Sequence, residues 1–182
     1  DAQGMVMRSG WTDASTVISL KVGPHSNHYH FDQGTFQVMT NGQTLLTDPG
    51  HGGGYYANLD FQAYNVEAIA HNVMLVDHDP ESQAHADYDN GIAALDEWPR
   101  MTHSFAGEIA DAVTSDLTPV YKGKLDRYDR TLLYTKDGPL FLFDQVASAP
   151  RDPKVTEWLT NFYTQTPPPL AGGDGHVFNW MF

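Results

Sequence analysis

Residues 34–48 read GTFQVMTNGQTLLTD. Apolar and polar residues alternate up to position 40, as they do in a strand with one buried face. Asn41-Gly42 follows, and this pair is the strongest short hairpin signal because both positions of a type I′ turn need positive φ. The stretch 43–48 then provides the return strand. This part of the chain predicts an antiparallel β-hairpin.

Similar short strands are predicted on both sides of this hairpin. They lie at 16–22, 72–77, 130–135, 140–144 and 176–182. Gly (16 residues) and Pro (11 residues) separate these stretches, and no helix longer than about three turns is predicted. Short strands at this spacing are typical of an all-β fold, an antiparallel β-sandwich.

Length and composition exclude several classes of protein. The chain has 182 residues, of which 41% are hydrophobic and 18% charged, which fits one domain with a sizeable core. The absence of Cys excludes disulfides and thiolate chemistry. A net charge of −13 argues against nucleic-acid binding, and no apolar run is long enough to span a membrane. The chain begins without Met, so we expect 1–182 to be a domain truncated at both ends.

Candidate chemistry concentrates in residues 23–34, which read GPHSNHYHFDQG. If this stretch leads into a strand, His28, His30 and Asp32 share one face. Two imidazoles and a carboxylate on one edge can bind a metal ion, or hold one histidine as an acid or base. The alternative is a run of surface histidines, or of core histidines satisfied by backbone groups.

Two later residues extend this set. Asp48 ends a predicted strand and His71 precedes another. Together with His30 they offer two neutral imidazoles and one carboxylate, a ligand set suited to Zn²⁺. Asp48 could instead be a turn former before Pro-Gly, and Asn72 could be a turn or strand-edge residue. His51 is a possible alternative metal ligand.

Four blocks of the sequence, in order, resemble the β-sandwich domain of heparinase II/III-like polysaccharide lyases. The blocks are 4–11 (GMVMRSGW), 28–36 (HYHFDQGTF), 45–50 (LLTDPG) and 70–77 (AHNVMLVD). Beyond these only 128–130 and 143–146 are similar. The resemblance implies an N-terminal α/α toroid before the sandwich and an active site in the cleft between them. It also implies a periplasmic or secreted enzyme that cleaves uronate-containing glycans by β-elimination.

The resemblance assigns metal ligands. His30, Asp48 and His71 match the positions that bind zinc in this family. Because these residues lie at the ends of loops and strands, we expect the zinc ion to be structural: it would tie the loop that contains Tyr55 and Tyr56 to the sheet and hold His28 in place. A lyase needs no metal-activated water, because its reaction uses no water nucleophile.

The resemblance also assigns catalytic and substrate-binding residues. His28 matches a histidine that faces the substrate, and Tyr55 or Tyr56 matches a tyrosine near the substrate in alginate-cleaving members. β-Elimination needs a base, an acid and groups that neutralise the uronate carboxylate, and tyrosine and histidine can act as base and acid. We assign Arg8 and Asn27 to substrate binding. Since the toroid carries the family's usual catalytic tyrosine, we expect the chain alone to be inactive.

The nature of the glycan is a separate expectation. Sulfated substrates usually require clusters of Arg and Lys, and only 10 such residues occur here. This favours alginate or another unsulfated uronate over heparin or heparan sulfate. Two alternatives stay open: a non-catalytic carbohydrate-binding sandwich, and a cupin-like metalloenzyme with a β-barrel metal site. An unpaired strand edge after Pro169 would favour homo-oligomers.

Overall fold

The computed structural model describes residues 3–24, 30–48, 64–84, 98–136, 138–148 and 156–158. The strands are β1 (Gln3–Arg8), β2 (Val17–Val22), β3 (Phe36–Thr40), β4 (Gln43–Leu46), β5 (Met74–Val76), β6 (Arg100–Ala106), β7 (Ala110–Asp116), β8 (Leu125–Thr135), β9 (Leu140–Ser148) and β10 (Thr156–Trp158). Short 3-10 helices occupy Ala68–Ala70 and Thr118–Tyr121. Within the described ranges, no helix is long and apolar enough to cross a membrane.

The strands form two four-stranded sheets and one two-stranded sheet. Their orders are β1-β2-β3-β4, β6-β7-β8-β9 and β10-β5. All pairings are antiparallel. The predicted antiparallel β-sandwich is therefore confirmed. The hairpin between β3 and β4 turns at Asn41 and Gly42, with φ of 51° and 69°, as the sequence predicts.

The main core lies between the two four-stranded sheets. Ile18 and Leu20 on β2 pack in one buried cluster with Leu132 and Tyr134 on β8. Each such side chain stabilises the fold by about 1.5–3 kcal/mol relative to exposure. A second cluster packs under β5. It contains Val22, Met74, Val76, Leu117, Val120, Tyr121, Leu125 and Tyr128.

The structure departs from the sequence expectation between positions 28 and 35. Residues 25–29 lie outside the described residues, and 30–35 form no strand, since β3 begins only at Phe36. Gly34 has φ of +84°, which breaks the extended conformation that an alternating pattern requires. Asp32 bonds to Lys21 Nζ at 2.6 Å. The expectation that His30 and Asp32 share a strand face is therefore wrong.

Candidate metal centre

His30, Asp48 and His71 converge at one end of the first sheet, and we call these three residues the histidine cluster. His30 lies in the turn before β3, Asp48 follows β4, and His71 follows the 3-10 helix. One ligand atom from each lies within 4.8 Å of the others. His30 is 5% exposed and His71 is fully buried. The structure thus brings together the three residues that the sequence predicted as metal ligands.

The geometry within the histidine cluster suits a small cation. His71 Nδ1 lies 2.6 Å from Asp48 Oδ2, and the two histidine rings are 5.3 Å apart between centroids. His71 Nε2 is buried, with no hydrogen-bond partner among the described residues. Donor atoms around a tetrahedral zinc ion lie about 3.3 Å apart, so binding would lengthen the 2.6 Å contact between His71 Nδ1 and Asp48 Oδ2 and shorten the wider separations, which reach up to 4.8 Å. The residues present therefore fit a zinc ion.

Asn72 connects the backbone segments that carry these ligands. Its Nδ2 donates to the carbonyls of Phe36 (2.7 Å) and Thr47 (2.9 Å). Its backbone N–H donates to Thr35 Oγ1 at 3.2 Å. Asn72 is fully buried and lies in a bend two residues before β5, so its place near a strand end comes with this bridging role. The sequence does not predict this role, because the partners are backbone carbonyls that no sequence pattern marks.

A pair of glutamines anchors the segment that follows His30. Gln33 N–H donates to Gln83 Oε1 at 3.0 Å, and Gln83 Nε2 donates back to the Gln33 carbonyl at 2.8 Å. Phe31 N–H donates to the Val66 carbonyl at 2.8 Å. Gln83 and Val66 lie in stretches of the sequence for which no strand is predicted. Hydrogen bonds from these two stretches therefore hold the segment after His30 in place.

Arg8 lies away from the histidine cluster. It pairs with Val17 at the end of β1, and its guanidinium stacks on the ring of Trp11 at 4.1 Å. Lys21 lies four residues beyond Val17 on β2, about 13 Å from it. The backbone N–H of Lys21 donates to the Thr35 carbonyl, at the end of the sheet where the histidine cluster lies. The structure does not bring Arg8 to the ligands, and its substrate-binding role stays a prediction.

His28, Asn27, Tyr55 and Tyr56 lie outside the described residues, as does His51. Their catalytic and substrate-binding roles stay predictions.

Comparisons with known proteins agree with the fold. A family model described as Heparinase II/III-like, C-terminal matches residues 4–166. A search of curated proteins finds no match. Among solved structures, heparan sulfate lyase HepC from Pedobacter heparinus has a TM-score of 0.68 at 20% identity, over 88% of this chain and 23% of that one.

Two further structures show the same likeness. "Crystal Structure of Heparinase III" has a TM-score of 0.61 at 21% identity, over 81% of this chain and 22% of that one. "Heparinase III-BT4657 gene product" has a TM-score of 0.67 at 16% identity, over 90% of this chain and 24% of that one. The chain spans less than a quarter of each of these structures, and at such identities the likeness concerns the fold alone.

Proposed function

This chain belongs to the heparinase II/III-like, C-terminal family, and on that premise we propose that it is the sandwich domain of a uronate-polysaccharide lyase. The observation that carries the proposal is the convergence of His30, Asp48 and His71 at one end of the sheet. The ligand segments come from three separate parts of the chain. Paired strands and buried polar side chains hold those segments together.

The reaction we propose is β-elimination. A base removes the proton beside the uronate carboxylate, and an acid protonates the glycosidic oxygen as it leaves. We propose that His28, together with Tyr55 or Tyr56, provides the acid and base groups that this chain contributes to the active site. An N-terminal α/α toroid would supply the opposite wall of the cleft and a further catalytic tyrosine. Donor or positive groups aimed at the carboxylate are needed to stabilise the enolate that develops.

We propose a single zinc ion in the histidine cluster, with a structural role. When bound, it would cross-link the three ligand segments. Buried imidazoles and a carboxylate are the ligands that zinc prefers in such sites. His30 directly follows the 25–29 segment, so fixing His30 would also limit where His28 can lie.

We propose alginate or another unsulfated uronate as the first substrate class. The chain has only 10 basic residues against 23 acidic ones, which leaves few partners for sulfate groups. One of the similar structures is a heparan sulfate lyase, so heparan sulfate is the competing substrate. We also propose a periplasmic or secreted location, as the family resemblance implies, and self-association through an open strand edge.

The test is an assay of the full-length protein that carries this sequence, against alginate and heparan sulfate in parallel. Lyase activity forms an unsaturated uronate, which ultraviolet absorbance detects directly. We expect product from alginate and much less from heparan sulfate. His28→Ala should abolish most of the signal, while His103→Ala, at an exposed position on β6, should keep it. If neither alginate nor heparan sulfate gives an unsaturated product, the proposed function is wrong.

A further inference from the structure

We propose that a buried ion pair, Arg130–Asp144, positions the zinc ligands from the opposite sheet. This inference rests on the zinc site proposed above. The two residues face each other across β8 and β9. Both lie inside the sandwich, with side chains 1% and 3% exposed.

The pairing of Arg130 with Asp144 is bidentate. Arg130 Nε donates to Asp144 Oδ1 and Nη2 donates to Asp144 Oδ2, each at 2.9 Å. Such a fork fixes the plane of the guanidinium as well as its position. Because two of the three nitrogens are used on β9, the third nitrogen, Nη1, is held in a defined direction.

Arg130 Nη1 reaches two segments that carry zinc ligands. It donates to the carbonyls of Gly34 and Asn72, each at 2.8 Å. Gly34 lies four residues after His30, and Asn72 directly follows His71. A single nitrogen therefore fixes the distance between two segments that are far apart in sequence.

Asn72 extends this arrangement to the third ligand. Its side chain donates to the carbonyl of Thr47, the residue before Asp48. Arg130 and Asn72 together thus contact the three backbone segments that carry the members of the histidine cluster. Groups that orient metal ligands from outside the coordination sphere commonly change metal affinity by about 10–100-fold when they are removed.

Stability alone is a weak explanation for this ion pair. Taking two charges out of water is costly, and well-packed apolar replacements are often as stable. Burial disfavours the charged guanidinium, but the nearby Asp144 carboxylate outweighs this, so the pKa of Arg130 lies above its usual value. A lysine could not replace it, because three donors on one nitrogen cannot form the fork and also reach both carbonyls.

The experiment compares two double variants for zinc affinity, measured by competition with a chelator. Arg130→Met/Asp144→Leu removes the buried pair and its contact with the two carbonyls. Arg127→Met/Asp129→Leu is the matched control, since it removes an ion pair on the same strand whose side chains are 59% and 19% exposed. The free energy of unfolding of each metal-free protein is measured alongside.

We expect the zinc dissociation constant of Arg130→Met/Asp144→Leu to rise about 10–100-fold, with the control equal to the parent chain. Unchanged affinity in the first variant, or equal loss in both, would overturn the inference. If the first variant does not fold, Arg130→Lys decides in the same way, because it keeps the charge beside Asp144. If neither Arg130→Met/Asp144→Leu nor Arg130→Lys folds even at saturating zinc, the pair serves only to stabilise the core and the inference is wrong. A parent chain that binds no zinc would instead overturn the zinc proposal.

Discussion

The Asp48 carboxylate makes two interactions, one with the proposed metal ion and one with His71, and a single substitution would remove both. It is a candidate metal ligand, and its Oδ2 lies 2.6 Å from the buried His71 Nδ1. We predict that Asp48→Ala loses zinc and destabilises the fold by about 1–3 kcal/mol, the cost of an unsatisfied buried polar group. Elemental analysis and thermal unfolding measure the two effects. Asp13→Ala, at an exposed position, is the control, and retention of zinc by Asp48→Ala would contradict the assignment.

His28 and His30 differ by two positions, yet we assign them different tasks. His30 is buried in the histidine cluster, whereas His28 is proposed to face the substrate. In the full-length protein, His28→Ala should lose most turnover, about 10²–10⁴-fold for a general acid or base, while it keeps its zinc. His30→Ala should lose the zinc itself. Equal metal loss in both variants would show that the two assignments are reversed.

The segment that joins His30 to β3 depends on Gly34. Its φ is +84°, and an added Cβ would lie 2.4 Å from Leu117 Cδ1. Gly34→Ala should therefore lower the free energy of unfolding by about 1–2 kcal/mol through backbone strain. Overpacking against Leu117 should lower it by about 1–3 kcal/mol more. Gly42→Ala is the control, because φ there is +69° but no atom lies within 4 Å. Urea unfolding measures both, and an equal cost for the two variants would exclude a packing effect.

How well the elements could be predicted depended on which face of each strand is apolar. The hairpin 34–48 was predictable, because its buried positions are apolar and its turn needs Asn-Gly. β6 is exposed along most of its length, so it shows no alternation. β7 alternates in burial, but two of its buried positions are Asp111 and Ser115, which hides the pattern. The sequence pattern therefore predicts neither strand, although both belong to the second four-stranded sheet.

Across the whole molecule, the candidate metal ligands were predictable from the sequence, but the contacts that hold them in place were not. His30, Asp48 and His71 lie at the ends of predicted segments, and the resemblance to a family marks them. Arg130 contacts Asn72 and Gly34 across 58 and 96 residues of sequence. Contacts of that kind depend on how two sheets pack face to face, which alternation along a single strand does not encode. The three residues of the histidine cluster could be predicted from the sequence, whereas the contacts that hold them required the structure.

The final prediction concerns the 182-residue chain by itself. We expect it to fold and bind zinc, because two four-stranded sheets and the buried core between them lie within the described residues. Lyase activity should be negligible, since elimination needs base, acid and neutralising groups held together, and the proposed toroid would supply part of that set. Losing one acid or base group costs about 10²–10⁴-fold, and losing a wall of the cleft removes substrate orientation as well. Zinc content, circular dichroism and unsaturated-uronate formation, measured beside the full-length protein, check each part. A rate from the isolated chain near that of the full-length protein would contradict an active site shared between two domains.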